Sequence, residues 1–229
     1  MKFKSVKFLG LFVLIIFYFS GCKNAFHSKQ TEGIIHYELK YLQSEDKNPI
    51  ISLLPTEMDV EFKNGFSHQK VEGWMGIFYM GGIFNPKSKR KTALLKIMGQ
   101  KYQYFVEGDK QVNFGFDPYD GMKFEKTNSK KEIAGMQCKK IKVIFPDTSK
   151  NFDIFYTKDI EIPNPNWNNP FHSVNGVLLE YQITMFGIKT RITAKSIEYV
   201  KVPDEDFAIP EGYKEVSKED MEEVINKLM

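Results

Sequence analysis

The chain has 229 residues, with 32 Lys and Arg against 29 Asp and Glu, a formal charge of +3. Three of the lysines, Lys2, Lys4 and Lys7, lie in a segment that reads as a removable leader; without it the charges balance at 29 against 29. That balance excludes a nucleic-acid binder, which needs surplus cations to neutralise phosphates, and a cationic membrane-surface protein. A composition 42% hydrophobic and 14% aromatic excludes a disordered chain.

Taken in chain order, Met1 to Lys7 is a short basic start and Phe8 to Phe19 an apolar run broken only by Gly10. Small residues follow. This is the layout of a signal peptide. The run is too short for a comfortable bilayer span of about 20 residues, so an uncleaved anchor is the weaker alternative. Phe19-Ser20-Gly21-Cys22 resembles the lipobox of bacterial lipoproteins, with Phe19 in place of the usual aliphatic residue. The resemblance implies cleavage before Cys22 and lipidation of its thiol. The expected organisation is a leader over 1–21, a tether over 22–30 and one domain over 31–229. Cys138 then has no partner, so neither a disulfide framework nor a cysteine zinc site is expected.

From Gly33 onward the pattern is one of short alternating strands. Ile35, Tyr37, Leu39 and Tyr41 share a face, as do Met58, Val60 and Phe62. Asn64-Gly65 marks a tight hairpin. Further strands are predicted over Phe66–Val71, Lys91–Met98, Tyr102–Glu107, Gln111–Phe116, Cys138–Phe145 and Phe152–Thr157. A long one over Gly176–Phe186 turns at Gly187 into Thr190–Val202. Turn signals such as Asn85-Pro86, Asp117-Pro118 and Asp120-Gly121 separate them. Strands joined by short turns without helices imply a meandering antiparallel sheet. Ser217 and Asp220 match a capping box. Met221, Val224, Ile225 and Leu228 form one apolar stripe, so a C-terminal helix is predicted that must dock on the sheet. Ile50–Leu54 and Gly73–Phe84 are ambiguous, and either could supply a short covering helix. The loop Ile162–Ser173 carries three prolines and reads as a functional loop or as a rigid cover over a sheet edge.

Catalytic chemistry is weakly signalled. None of the four histidines, His27, His36, His68 and His172, is spaced as a metal-ligand pair, and no metal or cofactor is expected. No nucleophile elbow, phosphate loop or dinucleotide fingerprint is present. His36 and His68 lie among charged neighbours on strands predicted to be exposed there. Glu57–Glu61 reads as a solvated strand face, and Asp204–Asp206 as a turn.

One uncharged segment stands apart. Gly73 to Phe84 holds Trp74, Met75, Phe78, Tyr79, Met80 and Phe84 among four glycines. Met and aromatic side chains adapt to irregular apolar partners. These six residues are the candidate ligand-binding set, as a mobile lid or wall of an apolar cavity; the alternative is buried strand and turn.

Several short stretches resemble a family of bacterial lipoproteins of unknown function, common in Bacteroidota and placed near the LolA-like and GLPGLI families. They are Ile133-Ala134-Gly135-Met136-Gln137-Cys138-Lys139-Lys140, Tyr156-Thr157-Lys158-Asp159-Ile160, Asn175 to Tyr181, and Phe207-Ala208-Ile209-Pro210-Glu211-Gly212-Tyr213. Together they cover about a third of the chain, and the GLPGLI signature itself is absent. The resemblance implies an open, curved antiparallel half-barrel with helical cover, and no catalytic residues. Three functions are expected, in descending order. The first is a lipid-anchored, periplasm-facing protein holding a lipid, an acyl chain or a lipoprotein anchor. The second is a structural or protein-interaction module of the cell envelope. The third is a hydrolase assembled from distant residues. Lys23, standing where Asp would resemble an inner-membrane retention signal, points to the outer membrane; the expected partners are that membrane and an apolar ligand or envelope protein, not nucleic acid.

Overall fold

The computed structural model describes residues 31–46, 48–112 and 114–227. The expected leader, Cys22, the tether and Leu228 lie outside these residues. The chain runs through β1 (Glu32–Tyr41), β2 (Glu57–Lys63), β3 (Phe66–Gly73), β4 (Phe78–Asn85), β5 (Arg90–Ile97) and β6 (Gln100–Val106). It continues through β7 (Lys123–Ile133), β8 (Met136–Ile144), β9 (Phe152–Thr157), β10 (Val177–Met185) and β11 (Ile188–Glu198). It ends with β12 (Lys214–Glu215) and α1 (Lys218–Asn226).

These form one curved, open, 12-stranded sheet in the order β12-β6-β5-β4-β3-β2-β1-β11-β10-β9-β8-β7. Two meanders, β2 to β6 and β7 to β11, flank β1. The N-terminal strand therefore sits in the middle, and the β1–β11 pairing joins positions 41 and 190 at its far end. Every strand pair is antiparallel except β12–β6.

Alternation decides what is buried. The inward residues of β1, β2, β8, β9 and β10 build one apolar core around Ile35, Phe62, Val143, Ile154, Phe171 and Leu179. A second, smaller core gathers Phe84, Leu95, Val112, Phe114, Trp167 and Met221. Among the described residues, the two clusters draw on positions from Ile35 to Ile225.

The outer face of β2 to β4 is also covered. Residues 199–213 cross it as a strap. Lys63 Nζ donates to the Val202 carbonyl at 2.6 Å, and the Val202 N–H donates to Glu32 Oε1 at 2.8 Å. Phe207 packs against Phe66 with ring centroids 5.7 Å apart. The strap then pairs with the β6 edge, and α1 turns onto the inner face, where Met221 and Ile225 are buried. As the capping box predicts, Ser217 Oγ accepts the Asp220 N–H at 3.0 Å. Ser217→Ala is expected to cost about 1 kcal/mol, measured by urea unfolding.

Several sequence expectations are corrected. Gln111–Phe116 is a loop, not a strand: Val112 and Phe114 do point into the second core, but Gly115 takes φ +73° and breaks the pleat. Among its described residues, Phe116 alone forms a bridge, to Met185. β7 escaped prediction because it is a sheet edge whose side chains are mostly exposed and charged, so no apolar alternation marks it. Pro49–Leu53 is a short 3-10 turn, and Gly73–Phe84 is a turn followed by β4, so neither forms an α-helix. The 162–173 loop covers the inner face of the sheet rather than an edge.

Candidate functional site

The inner face is not filled throughout. Between the two halves of the sheet lies an apolar cavity of about 130 Å³. Its floor is Leu39 of β1, Met58 of β2 and Val71 of β3. Phe78 and Met80 of β4 form one wall; Ile183, Ile188 and Ile192 of β10 and β11 form the other. Ile50, Leu54 and Pro55 border the open end, and Ile225 of α1 reaches the cavity from above. The Tyr41 hydroxyl donates to the Pro55 carbonyl and so spends its polar group on the wall itself. Gln69 and Thr190 add polar side chains, leaving a lining that is otherwise apolar.

Beside this cavity, the loop over 162–173 packs on the inner face of β3 and β4. Trp167 is 2% exposed, stacks on Phe84 with centroids 6.2 Å apart, and donates Nε1–H to Ser67 Oγ at 3.3 Å. Gly82 makes room for it: a Cβ there would lie 2.8 Å from the indole. Asn166 Nδ2 donates to the carbonyls of Val174 and Gly176, which holds the loop in a single shape.

The candidate set from the sequence divides. Phe78 and Met80 line the cavity. Phe84 is buried under Trp167, so it is core. Met75 stands fully in solvent on the β3–β4 turn. Tyr79, on the opposite face of β4, joins a polar cluster outside the sheet. The Trp74 side chain lies outside what the structure describes. Leu39, Ile183, Ile192 and Ile225 are cavity residues that the sequence marked only as ordinary strand or helix apolar positions.

The polar cluster is a second structured region. His68, read from sequence as exposed, is 5% exposed. The strap roofs it: His68 Nδ1 lies 2.5 Å from the Asp206 carbonyl, which can only accept, so Nδ1 carries the proton. Nε2 then accepts the Tyr79 hydroxyl at 2.6 Å. Gly81 permits this, because a Cβ there would collide with the Tyr79 hydroxyl. Glu61 is buried as well, correcting the solvated reading of its strand face; its Oε1 accepts Lys70 Nζ at 2.6 Å. His36 is half-buried and lies 2.7 Å from Asp59. A cleft of about 350 Å³ beside the cluster is lined by charges of both signs, Lys70, Lys96 and Lys101 with Glu72, Glu205 and Asp206.

Burial pushes the His68 pKa down from 6.5 to about 4, assisted by the nearby Lys70 cation. The unfolded chain therefore binds a proton between pH 6.5 and 4 that the folded chain refuses. Stability from this group is complete above pH 6.5 and declines as pH falls toward 4, by about 3 kcal/mol. Burial raises the Glu61 pKa, which acts in the opposite direction. Urea unfolding across this range is expected to show the decline, and His68→Gln to flatten it. An unchanged slope in the variant would contradict the assignment.

Among the described residues, no cluster of His, Cys, Asp and Glu could hold a metal ion. No helix among them is long and apolar enough to cross a membrane. No family model and no curated protein matches the chain. Among solved structures it is similar to PNGF-II at 13% identity and TM-score 0.48, over 86% of this chain and 32% of that one. It is also similar to LprF from Mycobacterium bovis at 13% identity and TM-score 0.29, over 77% of this chain and 90% of that one. The chain thus spans about a third of the PNGF-II chain. At these scores neither likeness contributes to a functional assignment.

Proposed function

We propose that this chain is a lipid-anchored, non-catalytic protein of the bacterial cell envelope that holds one apolar group in the cavity of its half-barrel. The observation that carries the reading is the cavity: an apolar space, walled by both halves of the sheet, that the described residues leave open. Its size limits the occupant. An engineered apolar cavity of about 150 Å³ stays dry and takes up one benzene. A cavity of about 130 Å³ therefore suits one ring or a short length of acyl chain, not a whole diacyl lipid. The lipobox resemblance at Cys22 and the residue after it support attachment at the periplasmic face of the outer membrane.

The testing experiment is calorimetric titration of residues 23–229 with decanoate, a fatty acid that stays monomeric at working concentration. The reading expects a single site with a negative heat-capacity change, the mark of apolar burial. Absence of heat and of any stabilisation by decanoate would remove the cavity reading. The second reading, a protein-interaction module, draws on Trp167, Phe171 and Met221, which already fill most of the inner face.

A further inference from the structure

Most of the large apolar side chains exposed among the described residues gather in one place; Tyr199 and Val200, just past β11, are the exceptions. Met75 and Met98 are 101% and 76% exposed, and Leu42, Leu53 and Ile77 are exposed too. All five lie at one end of the sheet. The Met98 N–H donates to the Ile77 carbonyl at 3.2 Å, which ties the β5–β6 turn to the β3–β4 turn. Leu42 N–H donates to the Lys189 carbonyl at 2.8 Å, at the β10–β11 end. Pro55, next to the Pro49–Leu53 turn, lies against Gly73 at the end of β3. This same end carries the mouth of the apolar cavity, bordered by Leu54, Pro55, Phe78, Phe186 and Ile188.

We propose that this tip docks on the surface of a zwitterionic lipid bilayer, with Met75, Ile77 and Met98 inserted and the cavity mouth facing the acyl region. Three observations select a bilayer over a protein partner. The apolar groups stand on several separate turns, Met75 and Ile77 on one, Met98 on another, with Met75 wholly and Met98 mostly in water. Methionine is unbranched and adapts to an irregular apolar phase. The mouth between the turns is itself apolar, so an apolar group could pass from bilayer to cavity without crossing water. Flanking charges are of both signs, Lys96 and Lys101 beside Glu72, so attraction to anionic headgroups is not the driving force.

The tip is at the opposite end of β1 from Thr31. The tether of residues 22–30 spans at most about 30 Å, so a lipid on Cys22 would not by itself press the tip to a membrane. Docking is therefore a separate event that residues 23–229 can display. It rests on the cavity reading only for what passes through the mouth.

The test places an environment-sensitive fluorophore at Met75→Cys, with Val200→Cys at the far end as control. Cys138 is fully buried and burial pushes its thiol up to about 11, so it does not compete for label. With phosphatidylcholine vesicles the Met75 label is expected to brighten about twofold or more and shift to the blue, at low and high salt alike. The Val200 label should not respond. Adding Ile77→Asp and Met98→Asp should weaken vesicle affinity about tenfold or more. No response at Met75, an equal response at both labels, or a response only with anionic lipid would overturn the proposal. So would a Met75 response to protein concentration alone, which assigns the tip to a second copy of the chain. Decanoate titration without vesicles runs in parallel: its failure removes the cavity reading and leaves the docking result standing.

Discussion

Trp167→Ala is expected to lower the unfolding free energy by about 4 kcal/mol, at the upper end for core truncations. The indole is buried, stacks on Phe84 and fills a recess that Gly82 leaves open. Its removal opens a void that the neighbours cannot close. Phe84 is fixed in the middle of the sheet between β3 and β5, and Asn166 holds the loop backbone through two carbonyls. The freed Ser67 hydroxyl would also lose its donor. Urea denaturation followed by circular dichroism measures the loss. A cost below about 1 kcal/mol, the size of an ordinary surface change, would show that the loop does not pack as described.

The second large effect concerns binding. Ile183→Trp is expected to abolish decanoate uptake while the domain stays folded. Ile183 is half-buried and faces the cavity from β10, so a larger side chain can swing into the empty space rather than into packed neighbours. Overpacking a filled core would cost about 1–3 kcal/mol; filling a void should cost less. Calorimetry is expected to show affinity reduced at least tenfold, with the melting temperature nearly unchanged. Retained binding in a folded variant would place the ligand elsewhere.

The legible part of this fold was whatever alternates. Ile35, Tyr37 and Leu39, or Met58 and Phe62, announced strands because one face of each is buried and the other wet. β9 was readable to the residue, and the Ser217 cap located α1. β7 was illegible because an edge strand rich in Lys and Glu buries little. The 111–116 loop misled because it does present Val112 and Phe114 inward, and only the φ of Gly115 shows that the backbone is not pleated.

The candidate site was half legible for a different reason. Composition singled out residues 73–84, yet composition does not say which side of a strand is which. Phe78 and Met80 face the cavity, Tyr79 faces the strap, and Met75 faces neither. The facing wall comes from β10 and β11, about a hundred residues later, and no local signal connects the two. His68 was misread because its roof, Asp206, is 138 residues away in sequence.

The most direct test of the central claim is native mass spectrometry of residues 23–229 purified from a bacterial periplasm. The account predicts a co-purifying small amphiphile of discrete mass, displaced by decanoate and lost in Ile183→Trp. A bare mass that takes up neither decanoate nor any other fatty acid would contradict it.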